Sequence, residues 1–121
     1  MNEREYFVLS VTHTQRHSLY ITLWRANDAG YCGRIESAGR YTESQIKANL
    51  GYYNTGCGTI AVPCDVAEPL ACSVQPGFFD DDTGHWLRNN RATWKALLAH
   101  VIEKPKCPPE PEYRGAPHRK D

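Results

Sequence analysis

Within the stretch FFDDDTGHW, Asp80, Asp81 and Asp82 stand close to His85, and carboxylates beside an imidazole are the pairing that general acid–base catalysis uses. Such a loop could also hold a cation. Three adjacent aspartates, however, lack the alternate spacing and the closing glutamate of a calcium loop. The favoured reading is a solvated loop that sets negative charge ahead of a helix N-terminus, with acid–base chemistry through Asp80–Asp82 and His85 as the rival. His13 and His17 are spaced H-x3-H, but on a turn rather than a helix that spacing does not bring two rings to one side. Cys32, Cys57, Cys64, Cys72 and Cys107 show no tight C-x2-4-C pair of the kind a structural zinc site uses. No metal or other cofactor is expected. Cys57, in TGCGT, could be presented as a nucleophile by its flanking glycines, although glycines also mark a helix end and a turn. The chain has no P-loop, no dinucleotide glycine fingerprint and no G-x-S-x-G elbow.

The remaining chemistry is that of recognition. Residues 20–41, YITLWRANDAGYCGRIESAGRY, interleave Tyr20, Trp24, Tyr31 and Tyr41 with Arg25, Arg34 and Arg40. Aromatic and arginine side chains together are what binding hot spots favour, and both stack on nucleobases. Against this stands packing of Trp24 and Tyr20 under a helix, with the arginines paired to Glu36 and other acids.

The elements that would position these residues follow from periodicity. Residues 5–12 alternate Phe7, Leu9 and Val11 against Tyr6, Val8 and Ser10, a strand with both faces partly covered. Leu19, Ile21 and Leu23 alternate against Tyr20, Thr22 and Trp24, predicting a second strand that pairs with the first as a hairpin. ANDAG is the turn, and residues 31–36 form a third strand. This places Leu19, Ile21, Leu23 and Ile35 in the core and Tyr20 and Trp24 on the opposite face. Thr42 opens a capping box with Gln45, and a helix then carries Ile46, Leu50 and Tyr53 on one stripe until residues 54–58 stop it. Residues 59–62 read as a short strand, and 64–72 as a helical turn broken by Pro69. Trp94, Leu97, Leu98, Val101 and Ile102 recur at helical spacing, so residues 90–103 are a helix that docks on the sheet.

The expected class is α+β: an antiparallel meander of three strands, with residues 59–62 as a candidate fourth, packed by two helices. A chain of 121 residues holds one such domain, here 1–104. Residues 105–121 carry five prolines and little that is apolar, which predicts a flexible tail.

Lys plus Arg and Asp plus Glu both total 14, so the net charge is zero with histidine neutral. That balance argues against general nucleic-acid binding, which draws on many phosphate contacts, while leaving room for a local basic patch. The apolar run near the start is too short and too mixed for a signal sequence or a membrane span. A cytoplasmic protein with reduced cysteines is expected.

Across roughly residues 5–100, through HTQRHSLYITLWR, NDAGYCGRIESAGRY, TIAVPCDV and NNRATWKALL, the chain resembles small proteins of unknown function encoded by phages and prophages. The resemblance implies a setting, in which small single-domain proteins are often accessory factors, including inhibitors of host defence. It assigns no activity, ligand or residue. The leading expectation is a non-enzymatic binding protein acting through Tyr20, Trp24, Arg25, Tyr31, Arg34, Arg40 and Tyr41. Its partner would be a host protein complex or a nucleotide-like molecule. A small hydrolytic or nucleotide-modifying enzyme and a homo-oligomeric assembly protein are the alternatives.

Overall fold

A computed structural model describes residues 3–73 and 84–117. The Asp80–Asp82 loop lies outside the described residues. β1 (Glu5–Ser10) is the centre of a five-stranded antiparallel sheet. Along one edge it pairs through its length with β5 (Thr59–Pro63), from Tyr6↔Pro63 to Ser10↔Thr59. Two strands share the other edge. β2 (Thr22–Trp24) pairs at Leu9↔Leu23 and Ser10↔Thr22, and β4 (Tyr41–Thr42) at Glu5↔Thr42 and Tyr6↔Tyr41. β3 (Tyr31–Cys32) extends β2, with Trp24 opposite Tyr31. The predicted meander is therefore present as β1-β2-β3, and residues 59–62 supply a full partner strand for β1.

Each face of β1 is buried against a different layer, as its alternation requires. Phe7, Leu9 and Val11 point into one cluster with Ile21, Leu23, Ile60, Val62, Leu87, Trp94 and Leu97. Tyr6 and Val8 point into the other, with Tyr41, Ile46, Tyr53 and Ala61. The first layer is closed by α3 (Cys64–Ala67), a 3-10 turn at Glu68–Leu70 that absorbs Pro69, and α4 (Arg91–Leu98). The second is closed by α1 (Glu43–Ala48) and α2 (Leu50–Tyr53).

The helix ends carry their caps. Thr42 Oγ1 accepts from the Gln45 N–H (3.2 Å), and Asn90 Oδ1 accepts from the Thr93 N–H (2.9 Å). Three of the expected lengths are shortened. The helix after Thr42 is interrupted at Asn49 (φ −149°, ψ 57°), which splits it into α1 and α2 while keeping Ile46 and Tyr53 buried. α4 ends at Leu98, because Ile102 instead donates its N–H to the Ala61 carbonyl beside β5 (2.9 Å). The third strand stops at Cys32, and Ile35–Ser37 is a 3-10 turn.

The second strand also starts later than its alternation predicts. Residues 19–21 pair with 87–89 instead of β1: Ile21 N–H donates to Leu87 O (2.8 Å) and Asn89 N–H to Leu19 O (2.9 Å). Leu19, expected in the core, is thus 58% exposed. Asn89 locks the exchange, donating to the carbonyls of Gln15 and Ser18 and accepting from Trp94 Nε1 (2.6 Å). β6 (Cys72–Ser73) and β7 (His85–Trp86) form a separate two-stranded ribbon beside this junction.

Residues 105–117 keep the irregular backbone that their prolines dictate, yet lie against the body. Arg16 pairs with Glu112 (2.6 Å) and donates to the Ala116 carbonyl (2.6 Å), Tyr113 packs on the first cluster, and Ala116 is buried. Cys107 is joined to Cys57 as a disulfide with Cα atoms 5.5 Å apart, which corrects the expectation that every thiol is reduced; Cys32, Cys64 and Cys72 are free. At Gly56 (φ +92°) a Cβ would overlap the Cys107 carbonyl, so a glycine is required where the two segments meet. The flexible-tail expectation is narrowed accordingly. Composition counts apolar side chains, whereas this segment is held by one covalent bond and one arginine together with the packing of only Tyr113 and Ala116.

Candidate functional site

The residues expected to form one recognition face fall into three places. Trp24, Tyr31 and Tyr41 come together with Tyr52 and Tyr53 of α2. Trp24 lies edge-on to Tyr52 (5.2 Å between centroids), Tyr53 (5.9 Å) and Tyr31 (6.4 Å), and Tyr41 meets Tyr53 at 5.3 Å. His13 stacks on the far side of Tyr31 (4.2 Å) and is held by Ser10 Oγ at its Nδ1 (2.9 Å). Arg25 reaches back to the Tyr31 carbonyl (3.1 Å). Packing under the helix, the bland alternative, therefore accounts for Trp24 in part, while the patch still reaches the surface.

Depth decides what each ring can do. Tyr41 is buried, and its hydroxyl donates to the Arg25 carbonyl (2.5 Å) and accepts from the Asp28 N–H (3.2 Å). Burial, reinforced by the nearby Asp28 charge against the backbone bond that opposes it, pushes this phenol up to about 12. Tyr41 thus fixes the turn Ala26–Asp28, in which Asn27 and Asp28 adopt positive φ, and has no group left for a partner. Tyr31 and Tyr52 are 46% and 44% exposed. Between them Trp24 is half-buried, and its indole N–H is shielded from water with no hydrogen-bond partner among the described residues. A buried donor without an acceptor costs roughly 1–3 kcal/mol. An acceptor oxygen supplied from outside would remove that cost.

No protein-family model, curated protein or solved structure matches the chain. Residue roles therefore rest on the geometry.

The other candidates lie elsewhere. Tyr20 packs on Trp86 (5.8 Å) and bridges to Arg88, since its backbone joins 87–89 rather than β1. Arg40 is a structural ion-pair centre, bonded to Glu5 (2.9 Å) and Glu68 (3.2 Å) with its guanidinium 5.6 Å from the Phe7 ring centre. Arg34 donates to Ser37 Oγ (3.4 Å) and bridges to Trp86. Neither Arg40 nor Arg34 joins the Trp24 patch.

His85 is paired with Glu36, a partner the sequence did not suggest for it. Its Nδ1 lies 2.7 Å from Glu36 Oε2 and its N–H donates to Oε1 (2.9 Å). Burial pushes the Glu36 carboxyl up, but these bonds outweigh it and hold the group below its usual range. Ser73 faces His85 across the ribbon. Cys57, in its disulfide, is no free nucleophile. Among the described residues no group of three His, Cys, Asp or Glu could hold a metal ion, and no helix is long and apolar enough to cross a membrane.

Tyr52 and His13 were missed as members of the patch. Tyr52 follows the interruption at Asn49, and His13 sits on a turn, so neither belongs to a period that links it to Trp24.

Proposed function

We propose that the protein is a non-enzymatic accessory binding protein, of the phage-encoded kind it resembles, whose partner is a host protein. The partner docks on Trp24, Tyr31 and Tyr52, with Arg25 and His13 at the rim. The observation that carries this reading is the unpartnered Trp24 indole N–H beneath two exposed tyrosines. Buried tryptophan and tyrosine anchors flanked by arginine are the composition of binding hot spots. A partner that packs on Tyr31 and Tyr52 and displaces one of these rings, so that a carbonyl or carboxylate reaches the shielded indole N–H, fits both demands.

The experiment is capture from host lysate with the tagged chain and with a Tyr31→Ala/Tyr52→Ala variant. The wild type should retain a defined protein that the variant loses by at least tenfold, with both folded by circular dichroism. Retention by the folded variant rejects this face. Light scattering on the free chain separates a further case, because a dimer abolished by the same variant assigns the patch to self-association.

A hydrolytic reading rests on the Glu36–His85 pair and on Ser73, the residue paired with His85 across the ribbon, which are the residue types that nucleophilic catalysis uses as orienter, base and hydroxyl. It predicts turnover of an ester or phosphoester substrate that His85→Ala removes, whereas the binding reading predicts none.

A further inference from the structure

We infer that a groove on another side of the molecule, between residues 16–20 and the start of α4, binds a small phosphorylated ligand with a planar ring, of the nucleoside-monophosphate class. The groove encloses about 560 Å³, within the range of small-molecule sites. Arg16, Arg88 and Arg114 line it, and no acidic residue does so among the described residues. In a chain of zero net charge this is a local concentration of one sign.

The three arginines are not equivalent. Arg16 is neutralised by Glu112 and anchored on the carbonyls of Tyr113 and Ala116, so it builds the wall. Exposed Arg88 donates its Nε to the Cys72 thiol (3.3 Å), a weak acceptor, which orients the side chain without balancing its charge. Arg114 is exposed on the C-terminal segment that Arg16 holds in place. Two guanidinium forks facing one groove suit the oxygens of a phosphate monoester, which they can engage bidentately.

The same groove offers a surface for a ring. Tyr20 is half-buried against Trp86, and Leu19 beside it is 58% exposed. Nucleobases stack on aromatic rings without regard to sequence, since each presents a π-face. α4 reinforces the sign of the site: its first turn holds no acid, and Arg88 and Arg91 flank the Asn90 cap. The positive end of the helix therefore adds to the arginines.

The test is titration of the full chain with AMP, adenosine and inorganic phosphate by calorimetry, with tryptophan fluorescence as a second readout because Trp86 adjoins Tyr20. AMP should bind at least tenfold more tightly than either fragment. Arg88→Ala/Arg114→Ala should weaken AMP at least tenfold with an unchanged melting temperature. Tyr20→Leu should reduce the preference for AMP over phosphate. Absence of AMP binding at millimolar concentration, or equal affinity in the folded double variant, overturns the inference. So does an affinity that appears only with single-stranded oligonucleotides and rises with their length, which would assign the arginines to a nucleic-acid backbone. Tyr31→Ala/Tyr52→Ala should leave AMP binding intact, so this site and the protein-docking patch fail separately.

Discussion

The two faces of the sheet are buried by the same alternation in β1 and yet are chemically unlike. One is mostly aliphatic, with Leu9, Val11, Ile21, Leu23, Ile60, Val62 and Leu97 around the rings of Phe7 and Trp94, and the Trp94 indole N–H is taken by Asn89. Nothing in it asks for a further partner. The other sets Tyr6, Tyr41, Tyr53 and Trp24 among Val8, Ile46 and Ala61, and the hydroxyl and N–H groups of those rings must each find an acceptor or donor. Tyr41 finds both in the Ala26–Asp28 turn, and Trp24 finds none among the described residues. A core layer of amphipathic rings can therefore run to the surface with a polar group still lacking a partner among the described residues, where an aliphatic layer ends in closure.

The sharpest way to break this contrast is to truncate each face in turn. Leu97→Ala, which empties a fully buried site on the aliphatic face, should cost about 2–5 kcal/mol of unfolding free energy and leave partner capture per folded molecule unchanged. The exposed pair Tyr31→Ala/Tyr52→Ala should show the reverse, a stability loss of about 1 kcal/mol with capture abolished. Denaturant titration alongside the capture assay measures both. Similar stability losses in the two variants would end the contrast.

Tyr41→Phe comes next, at about 1–2 kcal/mol, since it strands the Arg25 carbonyl and the Asp28 N–H. It also has a pH signature. The folded phenol titrates near 12 and the unfolded one near 10, so the unfolded chain loses this proton first. The stability tied to Tyr41 is fully present below about pH 10 and is lost as pH rises towards 12. Cys64, buried on the aliphatic face and also pushed up to about 12, acts in the same direction from about pH 8.5 upward. The wild type should therefore weaken steadily above pH 9, and Tyr41→Phe should weaken less over the last two units, as read from denaturation midpoints against pH.

The smallest effect belongs to Arg40→Ala. Its ion pairs with Glu5 and Glu68 are solvent-exposed, a class that contributes about 0–1 kcal/mol, and it lies away from both candidate sites. Capture and AMP binding should be unaltered, which separates Arg40 from the residues with which the sequence grouped it.

Period-2 alternation in residues 6–11 located the central strand and both of its faces, because every one of those side chains is buried on one side or the other. The cap at Thr42 was equally legible, being local chemistry. The error at Leu19 and Tyr20 was of another kind. Their alternation is genuine, but the strand partner is 87–89, nearly seventy residues away, and periodicity carries no information about which edge a segment joins. The same blindness separated Tyr52 and His13 from Trp24 and merged Arg40 with Arg25. Residue types singled out aromatic and arginine side chains, while the way they assemble depended on contacts distant in sequence. The Cys57–Cys107 pair and the Arg16 clamp belong to that class too.

The disulfide gives the molecule a topology as well as a shape. Residues 57–107 form a closed covalent ring that contains β5, α3, both strands of the ribbon and α4, while β1 to β4 belong to a linear arm. The central strand and its longest partner thus lie on opposite sides of that division and meet through the β1–β5 ladder. One peptide-bond cut anywhere inside the ring releases no fragment until the disulfide is reduced, whereas one cut in the arm separates two chains as soon as the fold is lost. Limited proteolysis read on paired gels, with and without reductant, would map that boundary.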